Sequence, residues 1–150
     1  MTMWITNYKE RYYCNRDPVR CAIRSYAAAL AWNRVFWDKG QRQNALRHCV
    51  WTCLMTVLLN EGQALHWGNV HEYYDPDRTW YDMEVDLRNN YVGRLFGRQL
   101  RYGAWVPLSY WAYYFCSGAW DRGWLWVWDR KQGRIETSLG TLAPRSMHGR

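Results

Sequence analysis

The chain has 150 residues, 49% of them hydrophobic, which suits one domain with a real core and argues against disorder over most of its length. A formal charge of +7, carried mostly by Arg, favours acidic partners: phosphates, anionic lipid headgroups or an acidic protein surface. The aromatic set is 12 Trp and 12 Tyr against 3 Phe, rings whose polar edges suit interfaces and pocket walls.

Residues 1–16 read as an irregular or strand-like lead carrying Trp4, Ile5, Tyr8, Tyr12 and Tyr13. Met1 to Arg11 holds no apolar core of signal-peptide length, so any export would use a larger polypeptide or a route without a cleaved signal. Asp17-Pro18 is a helix start, an N-cap followed by Pro at the first helical position. Cys14 and Cys21 flank it and are either free thiols or the ends of a short disulfide loop. A first helix is expected over Pro18–Trp37, with Cys21, Ala22, Ala28, Leu30, Ala31, Val35 and Phe36 as its apolar stripe. Arg20, Arg24 and Arg34 supply its polar side, and Asp38-Lys39-Gly40 ends it.

A second helix is expected from Gln41 to Asn60 and a third from Gln63 to Tyr74, with Asp75-Pro76-Asp77-Arg78 as the loop after it. Cys49 and Cys53 sit one turn apart beside Val50 and Leu54, which predicts two reduced, buried thiols packed as small hydrophobes. A fourth helix spans Met83–Leu100, and its Gly93 and Gly97 predict close helix packing. The longest uncharged stretch, Ala104 to Trp120, is broken by Pro107 and Gly118 and does not read as a membrane span. Ser109–Ser117 is a candidate fifth helix. Trp124, Trp126 and Trp128 alternate with Leu125 and Val127, a strand period, so Trp124 to Thr137 reads as a hairpin turning at Gly133, with the three Trp on one face. Residues 141–150 read as a flexible tail. The fold class is mainly α, with four to five helices and a small C-terminal β-hairpin.

Three polar clusters interrupt this pattern. Asn44, Arg47, His48 and Trp51 fall at i, i+3, i+4 and i+7, one face of a helix. His71 and Glu72 follow, with His66 and Gly68 upstream. Asp86, Asn89, Asn90 and Gly93, with Arg94 next, repeat the first spacing. A lone His beside apolar residues is most often a satisfied core histidine, and an Asp-Asn-Asn set most often ties helices together. Three such clusters in one short span weigh against that plain reading.

The pattern R-H-x-x-W (Arg47, His48, Trp51), then H-E (His71, Glu72), then D-L-x-N-N-x-x-G-R (Asp86 to Arg94) resembles a bacterial helical domain family. Members occur in secreted proteins and at the C-terminal ends of polymorphic-toxin-like polypeptides. The resemblance covers Asn44 to Arg94, with Asn44 standing where similar sequences often carry an acid. It implies a shared site and an effector or toxin-type domain, secreted or delivered into a target cell and otherwise cytoplasmic. A cognate immunity protein is then the implied partner.

The residues support several chemistries. His48 or His71 can act as general base or acid, with Glu72 or Asp86 orienting it or delivering a proton. Arg47 and Arg94 can clamp a phosphate, with Asn44, Trp51, Asn89 and Asn90 as further substrate contacts. Alternatively His48, His71 and Asp86 hold a divalent metal that activates water. The H-E-x-x-H spacing is absent, since Tyr73-Tyr74-Asp75 follows His71-Glu72. The expected function is hydrolysis of a phosphodiester or phospholipid substrate. The alternative is a non-catalytic, Trp-rich basic module that binds an anionic membrane, nucleic acid or a partner protein through Trp105–Trp120 and Trp124–Trp128.

Overall fold

The computed structural model describes residues 7–103 and 105–144. Expectations for Trp4 and Ile5, for Ala104 and for tail residues 145–150 lie outside the described residues. The elements run α1 (Tyr8–Arg16), α2 (Pro18–Arg34), α3 (Gly40–Leu58), α4 (Glu61–Tyr73), α5 (Trp80–Leu100), α6 (Leu108–Asp121), β1 (Trp126–Asp129) and β2 (Arg134–Thr137). The protein is mainly α, with six helices among the described residues rather than four to five.

The additional helix is α1, where the sequence predicts an irregular lead. Its tyrosines and charges carry no apolar period, and nine residues are too few to hold a helix alone. Anchors at both ends supply what the period does not. Asn7 Oδ1 accepts the Glu10 N–H at 2.9 Å, and Asn7 Nδ2 donates to the Val70 carbonyl of α4 at 3.0 Å. At the other end Asp17 terminates α1 and caps α2, accepting the Arg20 N–H at 3.0 Å ahead of Pro18. A Cys14–Cys21 disulfide closes this corner, the second of the two states the sequence leaves open.

Helix α3 is the centre of the molecule. It is buried on all sides from Cys49 to Thr56, so no amphipathic stripe survives there, as expected of a helix surrounded by others. Helix α5 lies closest to it. A Cβ on Gly93 would stand 2.2 Å from the Cys49 carbonyl oxygen, and one on Gly97 2.4 Å from Thr56 Cβ, so only glycine permits this approach. Thr52 Oγ1 sits in the seam, 2.8 Å from the His48 carbonyl oxygen and 2.9 Å from that of Asn90.

Helix α6 packs on α3, and a Cys49–Cys116 disulfide joins them. This corrects the expectation that Cys49 is reduced: its partner lies 67 residues on, beyond the reach of local spacing. Cys53 is the free, buried thiol, as expected. Arg24 is a second correction. It is fully buried between the rings of Trp51 and Trp67 rather than on a polar side of α2.

The hairpin pairs Trp126 with Thr137 and Trp128 with Ile135, and Gly133 turns it at φ +64°. Its first strand begins two residues later than predicted, because Trp124 donates its N–H to the Ala119 carbonyl of α6. The three Trp rings all meet α5: Trp124 lies by Phe96, Trp126 under Arg88, and Trp128 stacks on Tyr81 at 4.0 Å. The free edge of β1 is covered by side-chain amides. Asn89 accepts from Trp126 N–H and donates to its carbonyl, and Gln41 does the same for Trp128. Residues 141–143, predicted to be flexible, are tied to the hairpin: Leu142 bridges Glu136, and the Ala143 N–H donates to the Ile135 carbonyl.

Candidate functional site

Three helices deliver one side chain each to a single buried cluster. His48 comes from α3, Glu72 from the last turn of α4 and Asp86 from α5, all nearly inaccessible to solvent. One ligand-type atom of each lies within 4.8 Å of the others. His48 Nε2 stands 3.4 Å from Asp86 Oδ2, and His48 Nδ1 3.3 Å from Glu72 Oε1. The close α3–α5 seam sets the first distance. The early end of α4 is fixed by its Asn60 cap, which accepts the Gln63 N–H at 2.8 Å.

The surrounding groups orient these three. His48 Nδ1 lies 3.1 Å from Asn90 Oδ1; with the Asn90 amide in this orientation the nitrogen donates, and Nε2 presents its lone pair. Asn44 Nδ2 donates to Asp86 Oδ1 at 2.9 Å, and Arg47 donates to Asn44 Oδ1 at 2.5 Å. Arg78, from the loop between α4 and α5, places Nη1 2.7 Å from Glu72 Oε2 and in contact with Asp86 Oδ2. Neither Glu72 oxygen makes an aligned hydrogen bond among the described residues, so the Arg78 contact is an ion pair by distance with poor angles.

Burial and charge set the protonation states. Burial pushes the His48 imidazole well below its ordinary pKa, and the Arg47 and Arg78 cations and His71 push the same way against the Asn90 hydrogen bond. Burial, with the Asp86 charge beside it, raises Glu72 well above the usual carboxylate range, against Arg78 and Arg47. For Arg78, burial alone would lower the pKa, but Glu72 and Asp86 outweigh it and raise it. A neutral imidazole beside a carboxyl of raised proton affinity is an arrangement able to accept and donate protons.

His71 is placed differently. Its ring lies 6.1 Å from that of His48, but its Nδ1 turns to Glu10 Oε1 at 3.1 Å. Glu10 is paired with Arg24, which forms a second cluster against the first. Trp51 packs beside both histidines, 5.3 Å from His71 and 6.3 Å from His48, and donates from Nε1 to the Arg24 carbonyl. The trio His48, His71 and Asp86 is therefore not the set brought together; Glu72 takes the place of His71. Asn89 faces β1, and Arg94 lies over the Tyr91 ring with Glu61 as its charged neighbour, so neither reaches the cluster.

Sequence reasoning missed Arg78, Glu10 and Arg24. Arg78 sits in a turn with no period to single it out. Glu10 had a signal, since Asn7 followed three residues later by Glu10 has capping spacing. Arg24 had one too, falling three residues after Cys21 and four before Ala28 on the apolar stripe.

A family model described as a domain of unknown function (DUF6973) matches residues 11–104, more than half of the chain. The chain belongs to that family. The match takes in His48, Glu72, Arg78 and Asp86 and ends before α6 and the hairpin. Comparison with curated proteins gives no match, and comparison with solved structures gives none.

Proposed function

We propose that this chain is an effector or toxin-type hydrolytic domain whose site is the His48–Glu72–Asp86 cluster, acting on a phosphodiester or phospholipid substrate. The observation that carries the reading is the meeting of an imidazole and two carboxylates from three separate helices in one buried spot. Buried ionisable groups cost stability, and their concentration here is what a working site requires. His48 and a carboxylate activate water, while Arg47 and Arg78 neutralise the phosphoryl charge. The net charge of +7 draws an anionic substrate in. The bacterial setting and a cognate immunity partner rest on the motif resemblance. Two disulfides favour an oxidising compartment and hence secretion or delivery.

The test is expression in a bacterial host, directed to cytoplasm or periplasm, with His48→Ala alongside the wild type. Loss of a proton-transfer group costs ~10²–10⁴-fold in rate, so the variant loses toxicity while keeping its melting temperature within a few degrees. A stable variant that stays fully toxic sinks the catalytic role.

The second reading, a non-catalytic basic module, has one observation in its favour. Lys9 Nζ lies 5.5 to 5.8 Å from the exposed rings of Tyr8, Tyr12 and Tyr74, a cationic, aromatic face suited to anionic surfaces. In the stretch expected to make such contacts, Trp105, Trp111, Phe115 and Trp120 pack on the core instead. Toxicity that survives His48→Ala and falls with Lys9→Ala favours it.

A further inference from the structure

We infer that His48 Nε2, Asp86 Oδ2 and one oxygen of Glu72 form a binding site for a divalent transition-metal ion, with Arg78 as the group the ion displaces. This goes beyond the hydrolytic reading, since an ion bound there could serve structure or chemistry.

His48 Nε2 is buried, makes no hydrogen bond among the described residues, and is aimed at a carboxylate oxygen 3.4 Å away. With the Asn90 amide in this orientation, Nε2 and Asp86 Oδ2 are two acceptors facing each other, which repel unless something positive lies between them. The separation itself is informative: two ligands each ~2.1 Å from a tetrahedral ion stand about 3.4 Å apart. The supporting groups are those that metal ligands use. Asn90 holds Nδ1 of His48 and so fixes which nitrogen faces the site. Asn44 holds Oδ1 of Asp86 and leaves Oδ2 for the cluster.

Arg78 shows where a cation goes. Its Nη1 contacts Asp86 Oδ2 and lies 2.7 Å from Glu72 Oε2, so one positive group is already shared by the two carboxylates. Its side chain is 17% exposed, while those of His48, Glu72 and Asp86 are at most 4% exposed. Arg78 also belongs to a loop rather than a helix, where its Nε donates to Asp75 Oδ2 at 3.2 Å, and its turning outward with that loop carboxylate opens the path by which an ion enters. One imidazole nitrogen and two carboxylate oxygens suit Mn²⁺ or Zn²⁺, and three protein ligands leave a position for water.

The experiment is titration calorimetry of the chelator-treated full chain with MnCl₂ and with ZnCl₂, with melting temperature read in parallel. One ion binds per chain and raises the melting temperature. His48→Gln and Asp86→Asn abolish that binding, Asn44→Ala weakens it ~10–100-fold, and Arg78→Ala tightens it. The last result separates displacement from a merely structural guanidinium. Should a ligand variant fail to fold, the shift of imidazole signals on adding Zn²⁺ to the wild type decides: the His48 signals move and those of His66 stay. The inference is overturned if neither ion binds below millimolar concentration, or if binding persists in folded His48→Gln and Asp86→Asn. Toxicity that resists chelation in a chain that binds no ion removes the metal site and leaves the hydrolytic reading standing. An ion that binds as described, while His48→Ala stays toxic, does the reverse.

Discussion

Two buried clusters lie side by side in this protein and are built from the same residue types, one His, Glu and Arg each, yet they are balanced differently. In the first, Glu10 meets Arg24 and His71: one carboxylate faces one guanidinium, both fully buried, with Trp51 and Trp67 over the cation. In the second, two carboxylates, Glu72 and Asp86, share Arg78, with the Arg47 charge close by, and the Arg78 guanidinium reaches solvent and also bonds Asp75. A matched and sealed pair ties α1 to α2 and α4. The second cluster gathers two carboxylates and a partly exposed guanidinium at a point where the chain opens to solvent. Composition does not distinguish the two clusters; access to solvent does.

Breaking the sealed pair gives the largest effect. Arg24→Ala leaves Glu10 buried without its cation and is expected to lower stability by ~3–5 kcal/mol, read by urea denaturation. A loss below about 1 kcal/mol would erase the contrast between the clusters.

The neighbours Asn89 and Asn90 sharpen it next. Asn89→Ala removes two hydrogen bonds to the edge of β1 and is expected to cost ~1–3 kcal/mol, with toxicity falling only as the unfolded fraction rises. Asn90→Ala frees the His48 ring and is expected to reduce toxicity in protein that is still folded at the assay temperature. Equal behaviour of the two variants would mean that both are structural.

Glu72→Gln runs the other way. It replaces a buried carboxyl that burial and Asp86 already disfavour as an anion, so stability is expected to stay within about 1 kcal/mol of wild type or to rise, while activity is lost. A destabilisation as large as that of Arg24→Ala would place Glu72 with the structural pair.

The smallest effect is a thiol count. Burial pushes the Cys53 thiol far up, so the native chain takes no label, and the unfolded, unreduced chain takes one. Three labels after unfolding would show that one disulfide is missing.

Much of this was legible in the sequence. The 3.6-residue period placed α2 to α5 within a few residues of their observed ends, because apolar spacing and caps act locally. The two-residue period of Trp124 to Trp128 placed the hairpin, and Gly93 and Gly97 marked the close helix pair. The motif spacing grouped Asn44, His48, His71, Asp86 and Asn90; all but His71 meet in the cluster, where Glu72 takes its place, since a helix that carries such a face can turn it only one way.

What the chain could not announce is what depends on partners far along it. Cys49 chose Cys116 over a reduced state, Asn89 turned to a strand 37 residues on, and His71 turned to Glu10, 61 residues back. Helix α1 exists because α4 and a disulfide hold it. Arg78 became the cation of the site because its loop folds over two carboxylates. Local periodicity sets which face of a helix is polar. Which polar groups meet across helices is set by packing, and only the tertiary structure decides that, because the energy of a buried charge depends on what stands next to it in space.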